Sequence, residues 1–220
     1  RTSFGYEVND FYQFIHDYVD VDIEYEENLE IDIEAAYMEY ARPFDLGKAP
    51  LFRIKVVSVD SGMYLLLDIH HIISDGTGDE LFKHMLLDEY HGKTVIPEFQ
   101  FKDYSEWERG RDYSVQREYW NDKLRDLPER LNLPFRGKRT KIRGYKGGSI
   151  SKKIENDLID KIKQFCLINN CSEFMFLLSV YMILLHKYSK QDDILVGTPI
   201  AGRTIKGTER MLGMFVNTVV

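Results

Sequence analysis

The sequence has 220 residues, 44% of them apolar and 13% aromatic, enough to build the core of one large domain or two small lobes and too apolar for a disordered tail. Asp and Glu (36) outnumber Lys and Arg (29), for a formal net charge of -7. That balance argues against a nucleic-acid partner, because neutralising a phosphate backbone takes the opposite sign.

Residues 1 to 50 carry 13 acidic and 3 basic side chains. From Asp17 to Glu34 apolar and acidic residues alternate, a pattern of amphipathic strand or of a helix starting toward Ala35-Ala36-Tyr37-Met38. Leu51 to Val59 alternates and is rich in branched residues, Asp60-Ser61-Gly62 turns the chain, and Met63 to Ile69 is nearly all apolar. This predicts a hairpin with a partly exposed first strand and a buried second one. Helical spacing (Leu81, Met85, Leu86, Tyr90) follows Gly76 and stops at Gly92, and two more helices are expected between Asp103 and Asp126. The basic, glycine-bearing run from Arg136 to Lys146 reads as an exposed connection between lobes. A strand is expected over Gly148 to Ile154, then a helix with Leu158, Ile159, Ile162, Phe165 and Cys166 on one face. Ser172 offers an N-cap for the next helix, whose apolar run from Phe174 to Leu185 falls short of the roughly 18 residues of a membrane span and reads as buried. Ile194 to Val196 and Met214 to Val220 read as strands. Mixed α/β organisation in two lobes follows.

The two cysteines, Cys166 and Cys171, lie in or beside helical sequence, which fits a reduced, cytoplasmic compartment. No basic segment leading into an apolar one opens the chain, so no secretory signal is visible. The chain begins at Arg1 without a methionine and closes on strand-like sequence, so both ends are expected to be internal to a longer polypeptide.

At the end of the second hairpin strand the chain reads His70-His71-Ile72-Ile73-Ser74-Asp75-Gly76. Polar groups entering a core need partners, and adjacent strand residues point to opposite faces, so the two histidines are expected to have different surroundings. The divergence weighs against a metal site. Ser74 lacks the G-x-S-x-G context of a serine hydrolase. Two readings stay open on spacing alone: a pair of structural histidines beside a tight turn, or one histidine handling a proton while Asp75 and Gly76 shape the turn.

That segment resembles the HHxxxDG motif of nonribosomal peptide synthetase condensation domains, members of the chloramphenicol acetyltransferase-like superfamily. Further segments in the same order carry the resemblance. Arg1-Thr2-Ser3-Phe4 is similar to the end of RHExLRTxF, and Pro43-Phe44-Asp45-Leu46 with Pro50-Leu51-Phe52-Arg53 to FDLxxxPLxR. Lys102-Asp103-Tyr104-Ser105-Glu106-Trp107 is similar to YxDYAxW. Gly197 to Arg203 resembles GTPxAGR, and Gly213 to Thr218 resembles IGxFVNT. Together they span essentially the whole chain.

The resemblance implies a two-lobe α/β sandwich, with residues 1–145 an N-terminal lobe lacking its first segment and residues 146–220 the beginning of a C-terminal lobe. It implies amide formation between a donor thioester and an acceptor amine, both held on phosphopantetheine arms of carrier domains, beside an adenylation domain in a cytoplasmic antibiotic or secondary-metabolite synthetase. No metal and no cofactor bound by the domain itself is expected, and residues 1–220 alone are expected to be inactive. His71 matches the catalytic histidine and His70 the structural one. Asp75 matches the aspartate that pairs with an arginine, for which Arg203 is the first choice and Arg1 the second, and Gly76 lets the backbone approach substrate. Trp107 and Asn217 match motif positions without an assigned role. Gly78 departs from the usual serine there, and Ser74-Asp75-Gly76 leans toward an L-configured donor. An epimerisation domain and a coenzyme A-dependent acyltransferase of the same superfamily would also use His71. A non-catalytic carrier-recruiting module is disfavoured by the intact His71 and Asp75. The basic run from Arg136 to Lys146 is a candidate for steering an acidic carrier.

Overall fold

The computed structural model describes residues 1–7, 10–27, 32–94, 96–134 and 147–220. The basic run at 136–146 and the expected lobe boundary at 145/146 lie outside the described residues. The chain forms two compact units, Arg1–Arg111 with Pro199–Thr218, and Asp112–Thr198 with Val219–Val220.

In the first unit, β1 (Thr2–Glu7) and β2 (Asp10–Ile15) form an antiparallel ladder from Thr2↔Ile15 to Glu7↔Asp10. The acidic alternation then resolves into both expected forms, strand β3 (Ile23–Glu27) and helix α1 (Ile33–Tyr40). The Asp32 carboxylate caps α1 by accepting from the Glu34 amide at 3.0 Å.

Strand β4 (Phe52–Val59) pairs parallel with β3 and antiparallel with β5 (Gly62–Ile69). The parallel pair uses α1 as its crossover. Residues Ala36 and Tyr40 of α1, one turn apart, close over Val57 and Leu66 with Ile33 and Val59 packed alongside. On the opposite face of β4, Phe52 meets Phe82 of α2 (Gly76–Tyr90), with ring centroids 6.4 Å apart.

The hairpin forms as expected, but its burial is reversed. β4 is central in the order β3-β4-β5 and half-buried along most of its length, whereas Met63, Tyr64 and Leu65 of β5 are exposed. A central strand is covered on both edges by its neighbours; β5 has a neighbour on one edge only, and its composition does not reveal that position.

Helix α3 (Phe101–Arg109) starts with the Gln100 amide donating to Asp103 at 2.8 Å. In the second unit α4 (Ser114–Lys123), α5 (Asn156–Ile168) and α6 (Glu173–Ser189) follow. The α5 end is a Schellman motif: Asn170 is left-handed (φ 49°), and the Cys171 and Asn170 amides donate to the carbonyls of Cys166 and Leu167. Ser172 caps α6 through the Met175 amide, and Phe165 packs on Phe176.

Four expectations fail here. Residues 148–155 and 194–196 are irregular rather than strands, since the described chain offers them no ladder partner. Met214 to Val220 shortens to β7 (Asn217–Val219), which pairs with β6 (Thr198–Ile200). The apolar α6 is mostly exposed: Leu185 is its buried residue, while Phe174, Leu177 and Ile183 are half-exposed. No single helix among the described residues is long and apolar enough to cross a membrane, and α5 and α6 are bent by 106° at their junction.

Candidate active site

The site is built where β5 hands over to α2. His70, one residue past the strand, still completes the ladder edge by donating its amide to the Leu51 carbonyl at 2.9 Å. The Ile73 amide donates back to the His70 carbonyl at 3.1 Å, closing a turn that swings His71 out of strand geometry. His71 is exposed, whereas Ser74 and Asp75 are buried. Both histidines lie beyond the end of β5, so it is the turn, and not the alternation of strand faces, that gives them different surroundings.

Their hydrogen bonds define opposite tautomers. His71 Nδ1 lies 2.6 Å from the Ser74 carbonyl; a carbonyl only accepts, so Nδ1 carries the proton and the neutral ring presents a bare Nε2. His70 Nδ1 accepts from the Ile72 amide at 3.0 Å, so its proton resides on Nε2. The His70 ring also stands edge-on to Phe44, centroids 5.9 Å apart. His70 is thus tied into the turn, and His71 is oriented with its basic nitrogen unengaged among the described residues.

Asp75 anchors the turn. Its side chain is fully buried. Oδ1 accepts from the Gly78 amide at 2.8 Å, capping α2, and from Arg203 Nη2 at 2.9 Å; Oδ2 accepts from the Phe215 amide at 2.9 Å. Burial on its own would raise the Asp75 pKa, but the Arg203 hydrogen bond, the two amides and the Arg203 charge outweigh it and hold the carboxyl below its ordinary value. The Arg203 side chain is itself buried: Nη1 donates to the carbonyls of Thr208 (2.5 Å) and Met211 (2.7 Å), and its guanidinium lies 4.2 Å from the Phe215 ring centre. Its Nε has no partner among the described residues.

Residues 128 positions apart in sequence meet here because aromatic packing places the second segment. Phe215 packs on Phe101 and Tyr104 of α3, with centroids 5.1 and 4.8 Å apart. Gly202 is left-handed (φ 69°), and a Cβ there would run into the Phe215 carbonyl. The roles of Phe215 and of the Thr208 and Met211 carbonyls were missed from the sequence; backbone groups leave no residue-type signature.

The other sequence candidates are dispersed. Arg1 donates to the Asp17 carbonyl at 2.7 Å instead of pairing with Asp75. Gly76 is the first residue of α2 and exposed. Trp107 packs on Tyr104 and under Arg111, and Asn217 accepts from the Thr218 amide. A cleft of about 230 Å³ is walled partly by Ile72, Ile73, Phe101 and Met214. His71 is not part of that wall. Among the described residues, no group of three His, Cys, Asp or Glu side chains is arranged to hold a metal ion.

The model of the condensation domain matches residues 1–220. The chain is 37% identical over its full length to bacitracin synthase 3 of Bacillus licheniformis and 38% identical to gramicidin S synthase 2 of Aneurinibacillus migulanus. It is 37% identical to surfactin synthase subunit 1 of Bacillus subtilis (strain 168). It spans 4%, 5% and 6% of these relatives' own lengths. Its fold is similar over 100% of the chain to a four-domain nonribosomal peptide synthetase bound to AMP and glycine, at a TM-score of 0.85, 23% identity and 18% of that chain. The X-domain of teicoplanin biosynthesis in complex with OxyB matches 99% of the chain at a TM-score of 0.85 and 20% identity, over 52% of that structure. Phe44, Leu51, the turn from His70 to Gly76, and the Arg203 and Phe215 segments thus assemble inside a chloramphenicol acetyltransferase-like α/β fold, and the chain belongs to the family of nonribosomal peptide synthetase condensation domains.

Proposed function

We propose that this chain is part of a condensation domain that joins a donor acyl or peptidyl thioester to the free amine of an acceptor aminoacyl thioester. The observation that carries the reading is the exposed His71 ring with Nδ1–H fixed on the Ser74 carbonyl and Nε2 unengaged among the described residues. The acceptor nitrogen attacks the donor carbonyl, a C–N bond forms and the C–S bond breaks. His71 Nε2 receives or orients the amine proton and returns it to the departing thiolate. The Gly76 amide, at the first position of α2 where no intrahelical acceptor exists, is available to a developing oxyanion. Asp75 and Arg203 act through the turn that aims His71.

In this reading both thioesters arrive on phosphopantetheine arms of carrier domains, in a cytoplasmic synthetase that also holds an adenylation domain. The domain contributes side chains and no cofactor of its own. Residues 1–145 supply the N-terminal lobe and 146–220 the start of its partner. The full-length protein, loaded on both carriers, tests it: dipeptidyl product from the unaltered protein and none from His71→Ala is the expected result. Equal product from His71→Ala overturns the role of His71. An epimerised thioester without amide formation replaces condensation by epimerisation.

A further inference from the structure

The hydrogen bond that fixes the His71 tautomer ends on a backbone carbonyl, and a carbonyl points only as well as its residue is held. Ser74 is held from two sides. Its hydroxyl, buried with the rest of the side chain, donates to Asp79 Oδ1 at 2.6 Å, the short distance of a charge-assisted bond; a second contact, to the Asp75 carbonyl, is longer at 3.3 Å. On the C-terminal side, the Asp75 carboxylate is fixed by Gly78, Arg203 and Phe215. Asp79 is in turn fixed in the first turn of α2, its amide donating to the Asp75 carbonyl at 2.8 Å.

Gly78 completes the arrangement. A Cβ built there would stand 2.7 Å from Ser74 Oγ, closer than real Cβ contacts come, so the hydroxyl occupies the space that a side chain at 78 would take. We propose that Asp79 is a positioning residue for His71, acting through the Ser74 hydroxyl in a brace that requires glycine at position 78. The inference rests on the proposed proton-handling role of His71 and adds to it the residues that hold its tautomer.

The brace is separable from general folding because its members predict an unequal series. Ser74→Ala and Asp79→Ala remove the bond. Asp79→Asn keeps an oxygen that accepts from the hydroxyl. Gly78→Ala pushes the hydroxyl aside, and in a Ser74→Ala background the collision is gone, so the double variant is no worse than Ser74→Ala alone.

Two measurements on the full-length protein test this. One is the rate at which diethyl pyrocarbonate modifies His71, followed by peptide mass spectrometry, which reads the availability of the Nε2 lone pair without any condensation chemistry. The other is kcat and KM for amide formation with the acceptor carrier supplied in trans. Ser74→Ala, Asp79→Ala and Gly78→Ala are expected to lower both the modification rate and kcat by about 2- to 10-fold, the population ratio that one net hydrogen bond commands. KM is expected to stay unchanged, and Asp79→Asn, which keeps the acceptor but loses its charge, to fall between the unaltered protein and Asp79→Ala. Hydrogen-exchange protection at Val57 and Leu66 verifies the fold of each variant. Unchanged modification and kcat in both Ser74→Ala and Asp79→Ala overturn the brace, as does Asp79→Asn behaving like Asp79→Ala. If the unaltered protein forms no amide while the modification rates follow the series, the brace stands and the condensation reading falls.

Discussion

Replacing Asp75 with alanine removes four things at once: the cap of α2, the acceptor of the Phe215 amide, the counter-charge of Arg203, and the anchor of the turn carrying His71. Losing one partner of a buried ion pair costs about 3–5 kcal/mol. Here the lower end applies, because Arg203 keeps the carbonyls of Thr208, Met211 and Gly213 as acceptors. Adding about 1 kcal/mol for the lost cap gives a local destabilisation of about 4 kcal/mol, close to three powers of ten in an opening equilibrium. Asp75→Asn keeps an oxygen for Gly78 and Arg203 but turns an NH2 group toward the Phe215 amide. It is expected to lose about 2 kcal/mol, one donor left without an acceptor plus the lost charge. Native-state hydrogen exchange of the full-length protein, read on peptides covering Asp79 to Lys83 and Met214 to Thr218, measures these openings directly. Arg203→Ala is expected to open the same peptides, and Asp75→Ala with Arg203→Ala to cost less than the sum of the two single changes. Protection within about threefold of the unaltered protein in both single variants, less than 1 kcal/mol, would refute the anchoring role of the pair.

The same pair sets an acid limit. Because the Asp75 carboxyl is held below its ordinary value, its contribution is fully present above the unfolded-state pKa near 4 and is lost as the pH falls through the lower, folded value. Exchange at Phe215 is therefore expected to stay flat from pH 7 to about 5 after correction for intrinsic rates and to rise steeply below about 4, and Asp75→Asn removes that rise. Gly202→Ala combines a left-handed backbone with a collision at the Phe215 carbonyl and is expected to cost roughly 2 kcal/mol or more, seen as lost protection of the 211–217 segment. Val57→Ala, at a fully buried position between α1 and the sheet, is expected to lose about 1.5–3 kcal/mol, measurable by denaturant-dependent exchange. Lys83→Ala breaks an exposed pair with Glu80 and is expected to leave protection of α2 unchanged, because solvent screens a surface ion pair.

Local rules were legible where a residue type has one favoured use. Asp60-Ser61-Gly62 marks the hairpin turn, Gly92 the end of α2 with its φ of 73°, and Ser172 the start of α6. The histidine turn was legible as well, since two imidazoles and a carboxylate at the end of an apolar strand need partners. Strand alternation predicts different surroundings for His70 and His71, but β5 ends at Ile69 and both histidines lie beyond it. The structure shows that a turn beginning at His70 separates them and that the two rings carry their protons on opposite nitrogens.

What local pattern left undecided depends on neighbours distant in sequence. Whether Met63 to Leu65 are covered depends on the place of β5 in the sheet order, and whether residues 148–154 form a strand depends on a ladder partner; neither is written in the segment itself. Arg203 was one of two arginines matched to Asp75 by resemblance, and tertiary structure decided between them. Phe215 packs on α3, Gly202 permits the close approach of the Phe215 backbone, and the guanidinium is delivered to a carboxylate with no exposure to water. The sequence by itself determined that a histidine turn exists and which side chains can serve it. Tertiary structure decided which nitrogen of His71 is bare and which arginine holds the turn, because hydrogen-bond partners and desolvation belong to contacts that the order of residues does not contain.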